Sequence, residues 1–236
     1  MTIPSAIAEA LDRIDRARQA TGRTDHVALE LAVKTRTPEE CREAAQALSD
    51  LGQPILLGHN RVQEATATVE AIKQVPGARL HLIGPLQSNK INQALACVDA
   101  IESIDSAVLV RKIDSRLERE LPVFIEVNVS GEDTKHGCSP ADFSSIAEAV
   151  AASTHLRFAG LMTVGLNSPA EADVRRGYAL LRDLRDAAAQ QLAIPANNLE
   201  LSMGMSHDLE WAIAEGATIV RVGTAVFGPR RSVTRR

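Results

Sequence analysis

Residues 29–40, LELAVKTRTPEE, contain the end of a strand and the start of a helix. Thr37 is a favoured N-cap residue, and Pro38 suits the first helical position. Glu40 stands three residues after Thr37, where it completes a capping box. Because the helix begins at Pro38, the preceding strand must end near Lys34. An otherwise apolar strand therefore finishes on an amine.

The alternation of side chains along this strand predicts where Lys34 points. Counting back by two, the face that carries Lys34 also contains Ala32, Glu30 and Ala28. The opposite face is purely apolar and contains Val27, Leu29, Leu31 and Val33. Since an apolar face packs under helices, we expect Lys34 to point to the inner side of the sheet.

Short β-rich runs alternate with longer segments of helical period. The runs with strand character are VALELAVK, PILLG, RLHLIG, AIESI, LPVFIEVNV, LRFAGLMTVG, LELSMG and TIVRVGTAVFG. Helical patterns lie between them, among them residues 38–51 and 170–192. Strict alternation predicts parallel strands joined by right-handed crossovers, and eight such units form a (β/α)8 TIM-type barrel. An open doubly wound sheet is the main alternative, but no GxGxxG turn follows the first strand.

The length and composition predict a single domain over residues 1–236. Of these residues, 45% are hydrophobic, which is enough for one sizeable core. Ile7, Leu11 and Ile14 recur at helical spacing, so residues 1–24 are expected to form an extra N-terminal helix. The basic residues 229–236 are expected to form a tail.

The composition also disfavours several classes of protein. A net charge of -4 and an aromatic content of 3% are atypical of a nucleic-acid surface, which needs basic and stacking side chains. The sequence contains no apolar run long enough to cross a bilayer and no signal-peptide core, so we expect a cytoplasmic protein that does not bind membranes. The three cysteines are widely spaced and the histidines lack ligand spacing, so no disulfide framework and no metal site are predicted.

Two interpretations of Lys34 are open at this point. A partly desolvated lysine has a lowered pKa and attacks a carbonyl to form a Schiff base. Alternatively, Lys34 only pairs with an inward carboxylate, such as Glu30 or Glu126. Two loops favour the first interpretation, because residues 201–206 (LSMGMS) and 221–228 (RVGTAVFG) bring glycine and hydroxyl groups to strands seven and eight. Barrels of this kind bind phosphate there.

A phosphate anchor and a Schiff-base lysine in one barrel predict the binding of pyridoxal 5'-phosphate. Arg221, inward on the eighth strand, would then face the pyridine nitrogen. Because an arginine does not give up its proton, the ring nitrogen would stay unprotonated and the cofactor would be a weak electron sink. A phosphosugar aldolase also needs a lysine and a phosphate site, and it remains an alternative.

Seven motifs carry a family resemblance that runs from residue 27 to residue 228. They are AVKTRTP (32–38), GHNRVQE (58–64), HLIGPLQSNK (81–90), VNVSGEDTKHG (127–137), GLMTVG (160–165), LSMGMSHDLEWAI (201–213) and VRVGTAVFG (220–228). With these motifs in this order, the sequence closely resembles the pyridoxal-phosphate homeostasis proteins, relatives of the N-terminal barrel of alanine racemase.

The resemblance implies a role for each matching position. Lys34 would form the Schiff base, and Arg221 would partner the ring nitrogen. The implied phosphate cradle consists of Ser202, Gly223 and Thr224. The residues implied to surround the ring are Asn60, His81 and Met162.

Two positions depart from the family's pattern, which usually has serine at Val33 and glutamate at His59. By parity Val33 lies on the outer face, so we expect little effect on the cofactor. His59 is expected at the rim, where it would alter a contact behind the site. Lys135 follows the fifth strand, and we hypothesise that it approaches the phosphate or receives the aldehyde transiently.

The resemblance implies a carrier or regulator of the free cofactor rather than an efficient enzyme, with apoenzymes as candidate partners. In the related racemases the second base is a tyrosine from an additional C-terminal domain. The one tyrosine here, Tyr178, lies in a helical segment that we expect to be remote from any strand end. No catalytic residue is therefore predicted, and a monomer is expected. A weak racemase with His81 as second base, or another Schiff-base lyase, is the alternative.

Overall fold

Eight parallel strands close into a barrel in the computed structural model, which describes residues 2–228. The strands are β1 (Ala28–Ala32), β2 (Leu56–His59), β3 (Arg79–Leu82), β4 (Ala100–Ile104), β5 (Leu121–Glu126), β6 (Leu156–Met162), β7 (Glu200–Ser202) and β8 (Ile219–Val222). Each pairs with its sequence neighbours, and β8 pairs with β1 to close the ring. The predicted (β/α)8 fold is confirmed. The tail predicted over residues 229–236 lies outside the described residues.

Helices surround this barrel on its outer side. They are α1 (Ile3–Ala20), α2 (Pro38–Asp50), α3 (Val62–Ile72), α4 (Ile91–Leu95), α5 (Ala107–Asp114), α6 (Phe143–Ala151), α7 (Glu171–Gln191), α8 (Leu209–Ala214) and α9 (Thr224–Phe227). The extra N-terminal helix, α1, packs against α2, α8 and α9, where the first and last barrel units meet. No helix among residues 2–228 has the length and apolar character needed to span a membrane.

The junction between β1 and α2 forms as the sequence predicts. The Thr37 hydroxyl accepts a hydrogen bond from the Glu40 N–H at 3.2 Å, and the Glu40 carboxylate accepts one from the Thr37 N–H at 2.9 Å. Pro38 occupies the first turn of α2. These reciprocal bonds satisfy amides that the helix cannot pair internally, so α2 starts here and leaves Lys34 just beyond the end of β1.

The core has two parts, which confirm the parity argument. The larger part fills the space between strands and helices and includes Leu29, Leu31 and Val33. The smaller part lies inside the barrel and consists of Ala28, Leu56, Phe124, Ala159, Met162 and Ile219. The residues that alternate with the outer core therefore point into the barrel.

The eighth strand is shorter than the sequence predicts. Residues 218–228 were expected to be strand, but β8 ends at Val222 and a helical turn follows. The carbonyl of Gly223 accepts hydrogen bonds from the N–H groups of Val226 and Phe227, which starts α9. A Cβ at Gly223 would lie only 3.1 Å from the carbonyl oxygen of Ala32, so glycine lets β8 approach β1 at the mouth.

Candidate functional site

A cavity of about 590 Å³ opens at the carboxyl ends of the strands. Among the residues singled out from the sequence, its lining contains Lys34, Asn60, Lys135, Arg221, Gly223 and Thr224. The three other predicted cofactor residues, His81, Met162 and Ser202, are buried in the barrel interior and are not part of that lining. The mouth of the barrel thus brings together five of the eight predicted cofactor residues.

The lining of the cavity favours an anionic ligand. Its cationic side chains are Lys34, Arg36, Lys135 and Arg221. Among the described lining residues the carboxylate is Asp208, and it is already engaged. It accepts hydrogen bonds from the Tyr178 hydroxyl at 2.8 Å and from the Met205 N–H at 2.6 Å. Apolar side chains, including those of Ile83, Trp211 and Phe227, supply surface for a planar ring.

The loop after β1 is tied to the end of β8. Thr35 has a φ of 60°, a left-handed conformation that costs a residue with a side chain about 1 kcal/mol or more. Arg36 donates to the carbonyl oxygens of Lys34 and Phe227, at 3.3 Å each. Its guanidinium also lies 5.7 Å from the centre of the Phe227 ring. Arg36 therefore fixes the backbone of Lys34 relative to α9.

The serine that reaches the cavity after β7 is Ser206 rather than Ser202. Ser202 is the last residue of β7, so its side chain points into the barrel and is fully buried. Gly204 has a φ of 91° and turns the chain before Ser206. The family resemblance implied Ser202 for the phosphate cradle, and the motif LSMGMS contains both serines. The missed signal is the glycine between them.

Arg221 rests on a buried chain of hydrogen bonds. Its Nη1 donates to the carbonyl oxygen and the hydroxyl of Ser202, at 2.7 and 2.6 Å, and its Nη2 donates to the Thr163 carbonyl oxygen at 2.7 Å. The Ser202 hydroxyl in turn donates to the Glu102 carboxylate at 2.6 Å. The other oxygen of Glu102 accepts from His81 Nδ1 at 2.7 Å. The guanidinium is held in one plane at the floor of the cavity.

Glu102 is the site residue that sequence reasoning missed. The β4–β5 register shifts between Ile101 and Ile104, and both of these residues belong to the outer core although they are three positions apart. Because this irregularity breaks the period of two, a parity count along AIESI gives no clear inner face. Glu30, in contrast, points inward as predicted and lies 3.3 Å from His81 Nδ1.

The buried groups influence one another's protonation. Burial alone would lower the pKa of His81, but hydrogen bonding to Glu102 and Glu30 outweighs it and raises that pKa to about 10. Burial would raise the pKa of Glu102, yet the contact with His81 holds it below its usual value. For Glu30, burial and the nearby charge of Glu102 raise the pKa. We therefore assign a protonated His81 and an ionised Glu102 at neutral pH.

Neither of the two side chains considered as bases, His81 and Tyr178, lines the cavity. His81 is protonated and buried, so it is unsuited to accept a proton as a second base. Tyr178 was expected to be remote from strand ends, but its hydroxyl reaches Asp208 in the loop between β7 and α8. The tyrosine is fully buried, and burial together with Asp208 raises its pKa. Its role as a packing residue is confirmed, whereas the expected distance from the strand ends is wrong.

The two departures from the family's pattern both lie on the outer side of the barrel. Val33 is fully buried in the outer core, as predicted. His59 is also fully buried rather than at the rim, and its Nε2 lies 2.8 Å from the Thr68 hydroxyl of α3. Its Nδ1 lies 3.5 Å from Glu64, and this proximity holds the pKa of Glu64 below its usual value. The substitution at His59 therefore changes the contact between β2 and α3.

Comparisons with known proteins agree with this geometry. The family model "Alanine racemase, N-terminal domain" matches residues 8–231. The pyridoxal phosphate homeostasis protein of Aquifex aeolicus is 38% identical over 231 residues, which cover 95% of this chain and 97% of that protein. The chain belongs to the family of pyridoxal phosphate homeostasis proteins.

Two solved structures illustrate the likeness. A protein of unknown function from Bifidobacterium adolescentis is 40% identical, with a TM-score of 0.85 over 95% of this chain and 94% of that one. PipY of Synechococcus elongatus, a structure with PLP bound, is 31% identical, with a TM-score of 0.79 over 96% of this chain and 100% of that one. A structure similar to nearly the whole of this chain thus has PLP bound, which is the cofactor predicted from this sequence.

Proposed function

We propose that this protein binds pyridoxal 5'-phosphate through Lys34 and holds or releases it to regulate the level of the free cofactor, without efficient catalysis. The observation that carries the proposal is that one cavity contains Lys34 together with Arg221, Gly223 and Thr224. Further support comes from the surplus of cationic side chains in that cavity, which suits a ligand with a phosphate dianion. The cofactor bound to PipY supports the same ligand.

Each lining residue has a proposed role. The Lys34 amine condenses with the aldehyde and releases water, and the cofactor supplies that aldehyde. Arg221 donates a hydrogen bond to the ring nitrogen. Gly223, Thr224 and Ser206 bind the phosphate at the exits of β7 and β8. Ser206 is added to the cradle because the Ser202 hydroxyl is bonded to Glu102 and Arg221 instead.

Asn60, His81 and Met162 have different proposed positions relative to the ring. Asn60 lines the cavity and contacts the cofactor directly. Met162 and His81 are buried in the barrel interior, so they support the floor rather than touch the ring. No residue of this chain is assigned a catalytic role.

The proposal that racemisation is inefficient rests on the surroundings of His81 and Tyr178. A second base must accept a proton on the face of the ring opposite the first. His81 is protonated and sits in the barrel interior, and the Tyr178 hydroxyl donates to Asp208. Both candidate bases are therefore engaged elsewhere. We also propose that residues 1–236 form one domain, that the protein is a cytoplasmic monomer, and that apoenzymes receive the cofactor from it.

A cofactor titration with two readouts tests this proposal. Trp211 is the single tryptophan of the chain and lines the cavity, so its fluorescence should be quenched as pyridoxal phosphate enters, together with growth of a visible absorption band. The loaded protein is then incubated with amino acids in deuterium oxide. We expect α-deuterium incorporation no faster than with free cofactor. Sustained exchange at enzymic rates would instead establish an enzyme, and a colourless protein silent to the cofactor would favour the aldolase alternative.

A further inference from the structure

The ion pair beneath Arg221 lies outside the cavity, and cofactor binding as proposed above does not use it. It consists of His81 and Glu102, and both side chains are buried. Replacing a buried ion pair by apolar residues often leaves stability unchanged or raises it, so stability alone is a weak reason for such a pair. Its connection to the cavity floor through Ser202 indicates a function.

The hydrogen bonds of Ser202 have a direction that Glu102 sets. An ionised carboxylate only accepts hydrogen bonds, so the Ser202 hydroxyl must donate to Glu102 across the 2.6 Å contact. The lone pairs of that hydroxyl are then available to Arg221, whose Nη1 lies 2.6 Å away. A carboxylate at position 102 thus orients the hydroxyl that receives the guanidinium.

His81 fixes the carboxylate from the opposite side. Its Nδ1–H donates to Glu102 at 2.7 Å, while the second carboxylate, Glu30, lies farther away at 3.3 Å. The protonated His81 and the ionised Glu102 balance each other's charge. Short hydrogen bonds between charged partners in a water-free interior are strong and hold their partners in one geometry.

We propose that Glu102 is a positioning residue for the pyridine ring, acting through Ser202 to hold Arg221 in the plane in which it donates to the ring nitrogen. This inference rests on the proposed function, because it requires the ring nitrogen to face Arg221. Glu102 itself does not touch the ligand. Its effect is to keep the ring nitrogen hydrogen-bonded and unprotonated, and to hold the ring in place in the cavity.

The substitution Glu102→Gln tests the inference. His81 and Ser202 contact different oxygens of Glu102, and a glutamine puts an NH2 group, which only donates, in place of one of them. Because the charge-assisted bond from His81 takes the glutamine oxygen, the NH2 group faces Ser202 and competes with Arg221 for the lone pairs of the hydroxyl. We expect the dissociation constant for pyridoxal phosphate to become roughly tenfold larger, in line with the loss of one hydrogen bond to a charged group. Trp211 quenching measures this constant. We also expect the ¹⁵N signal of ring-labelled cofactor to move toward that of the free, unprotonated cofactor.

A second pair of variants separates positioning from general destabilisation. Ser202→Ala removes the bridging hydroxyl and leaves both charges paired. Ser103→Ala is the matched control, because this buried serine on the same strand as Glu102 also makes a 2.7 Å hydrogen bond, to the Gly84 carbonyl oxygen. Ser202→Ala should reproduce the shift of the ¹⁵N signal, whereas Ser103→Ala should keep the wild-type signal.

Each outcome decides something. An unchanged ring-nitrogen signal and dissociation constant in Glu102→Gln overturn the inference. Should that variant fail to fold, Ser202→Ala decides in the same way, and a wild-type signal there also overturns it. A wild-type protein that binds no pyridoxal phosphate refutes the proposed function itself. This result differs from that of a loaded protein whose ring-nitrogen signal is the same with and without Glu102, which refutes only the inference.

Discussion

Lys34 differs from Lys73 and Lys112 in where its backbone lies. Lys73 pairs with Asp99 at 2.6 Å and Lys112 donates to Ser88 at 3.0 Å, both on the outside of the barrel. Lys34 follows an inward-facing position of β1 and lines the cavity. The sequence predicts this difference, because side-chain alternation and a capping box together locate the end of a strand.

The positions of residues that depend on tertiary contacts cannot be predicted from the sequence pattern in this way. Glu102 lies in a strand with an irregular register, so no count along the sequence reveals its inner face. Ser202 and Ser206 are told apart only by knowing where β7 ends. The contact of Tyr178 with Asp208 joins residues that are thirty positions apart. Local pattern therefore predicts the lysine of the site but not the network that supports its floor.

The raised pKa of His81 predicts how stability depends on pH. The folded-state value of about 10 lies above the ordinary value of 6.5, so the protonated ring contributes stability that is complete below pH 6.5 and is lost as pH rises toward 10. His81→Asn should lower the free energy of unfolding by roughly 3 kcal/mol near pH 6.5, since it leaves a buried carboxylate unpaired. This difference from wild type should shrink toward pH 10. Urea unfolding at several pH values measures it.

A matched control for this experiment is His26→Asn, because His26 is exposed. It should leave the free energy of unfolding unchanged at every pH. A difference between wild type and His81→Asn that stays constant from pH 6.5 to 10 would show that His81 is not held protonated by its carboxylate neighbours.

At the scale of elements, the junction of β1 with α9 controls how firmly Lys34 is held. Arg36→Lys keeps the charge but loses the planar group that reaches the carbonyl oxygens of Lys34 and Phe227. Because these hydrogen bonds are long, we expect the dissociation constant for pyridoxal phosphate to increase only about three- to fivefold, which corresponds to a loss of binding free energy near 1 kcal/mol. Trp211 quenching measures it. The control is Arg42→Lys, at an exposed arginine of α2. An equal effect in both variants would show that Arg36 does not hold the backbone of Lys34.

The loop after β5 carries the second lysine of the cavity. Lys135 donates to the Gly165 carbonyl oxygen at 3.3 Å and lies 4.0 Å from Glu132, so it is anchored at the mouth rather than on the floor. Lys135→Ala removes a cation from the exit path of an anion. We expect release of pyridoxal phosphate to become about two- to fivefold faster, as for a partly exposed charge pair, with an unchanged visible band of the loaded protein.

Recovery of Trp211 fluorescence after dilution of the loaded protein gives this release rate. The exposed Lys112 provides the control substitution, Lys112→Ala, which should release the cofactor at the wild-type rate. A release rate that Lys135→Ala leaves unchanged, or a shifted absorption band, would remove Lys135 from the exit path.

At the scale of the whole molecule, the alternation of strand and helix patterns predicts the barrel. Parallel strands that alternate with helices have few arrangements, and the closed ring of eight is one of them. Strand lengths are predicted less well, because β-branched and aromatic residues also occur in α9, where the approach of Gly223 to Ala32 ends the strand. Closure brings the end of β1 beside the end of β8, and this places Lys34 and Arg221 in one cavity.

The visible absorption spectrum of the protein with pyridoxal phosphate, wild type against Lys34→Ala, tests the central claim most directly. If Lys34 bonds the aldehyde, the wild type acquires the absorption band of the bound cofactor and Lys34→Ala shows only the spectrum of free pyridoxal phosphate. The same band, at the same intensity, in Lys34→Ala would contradict the claim and assign the aldehyde to another amine.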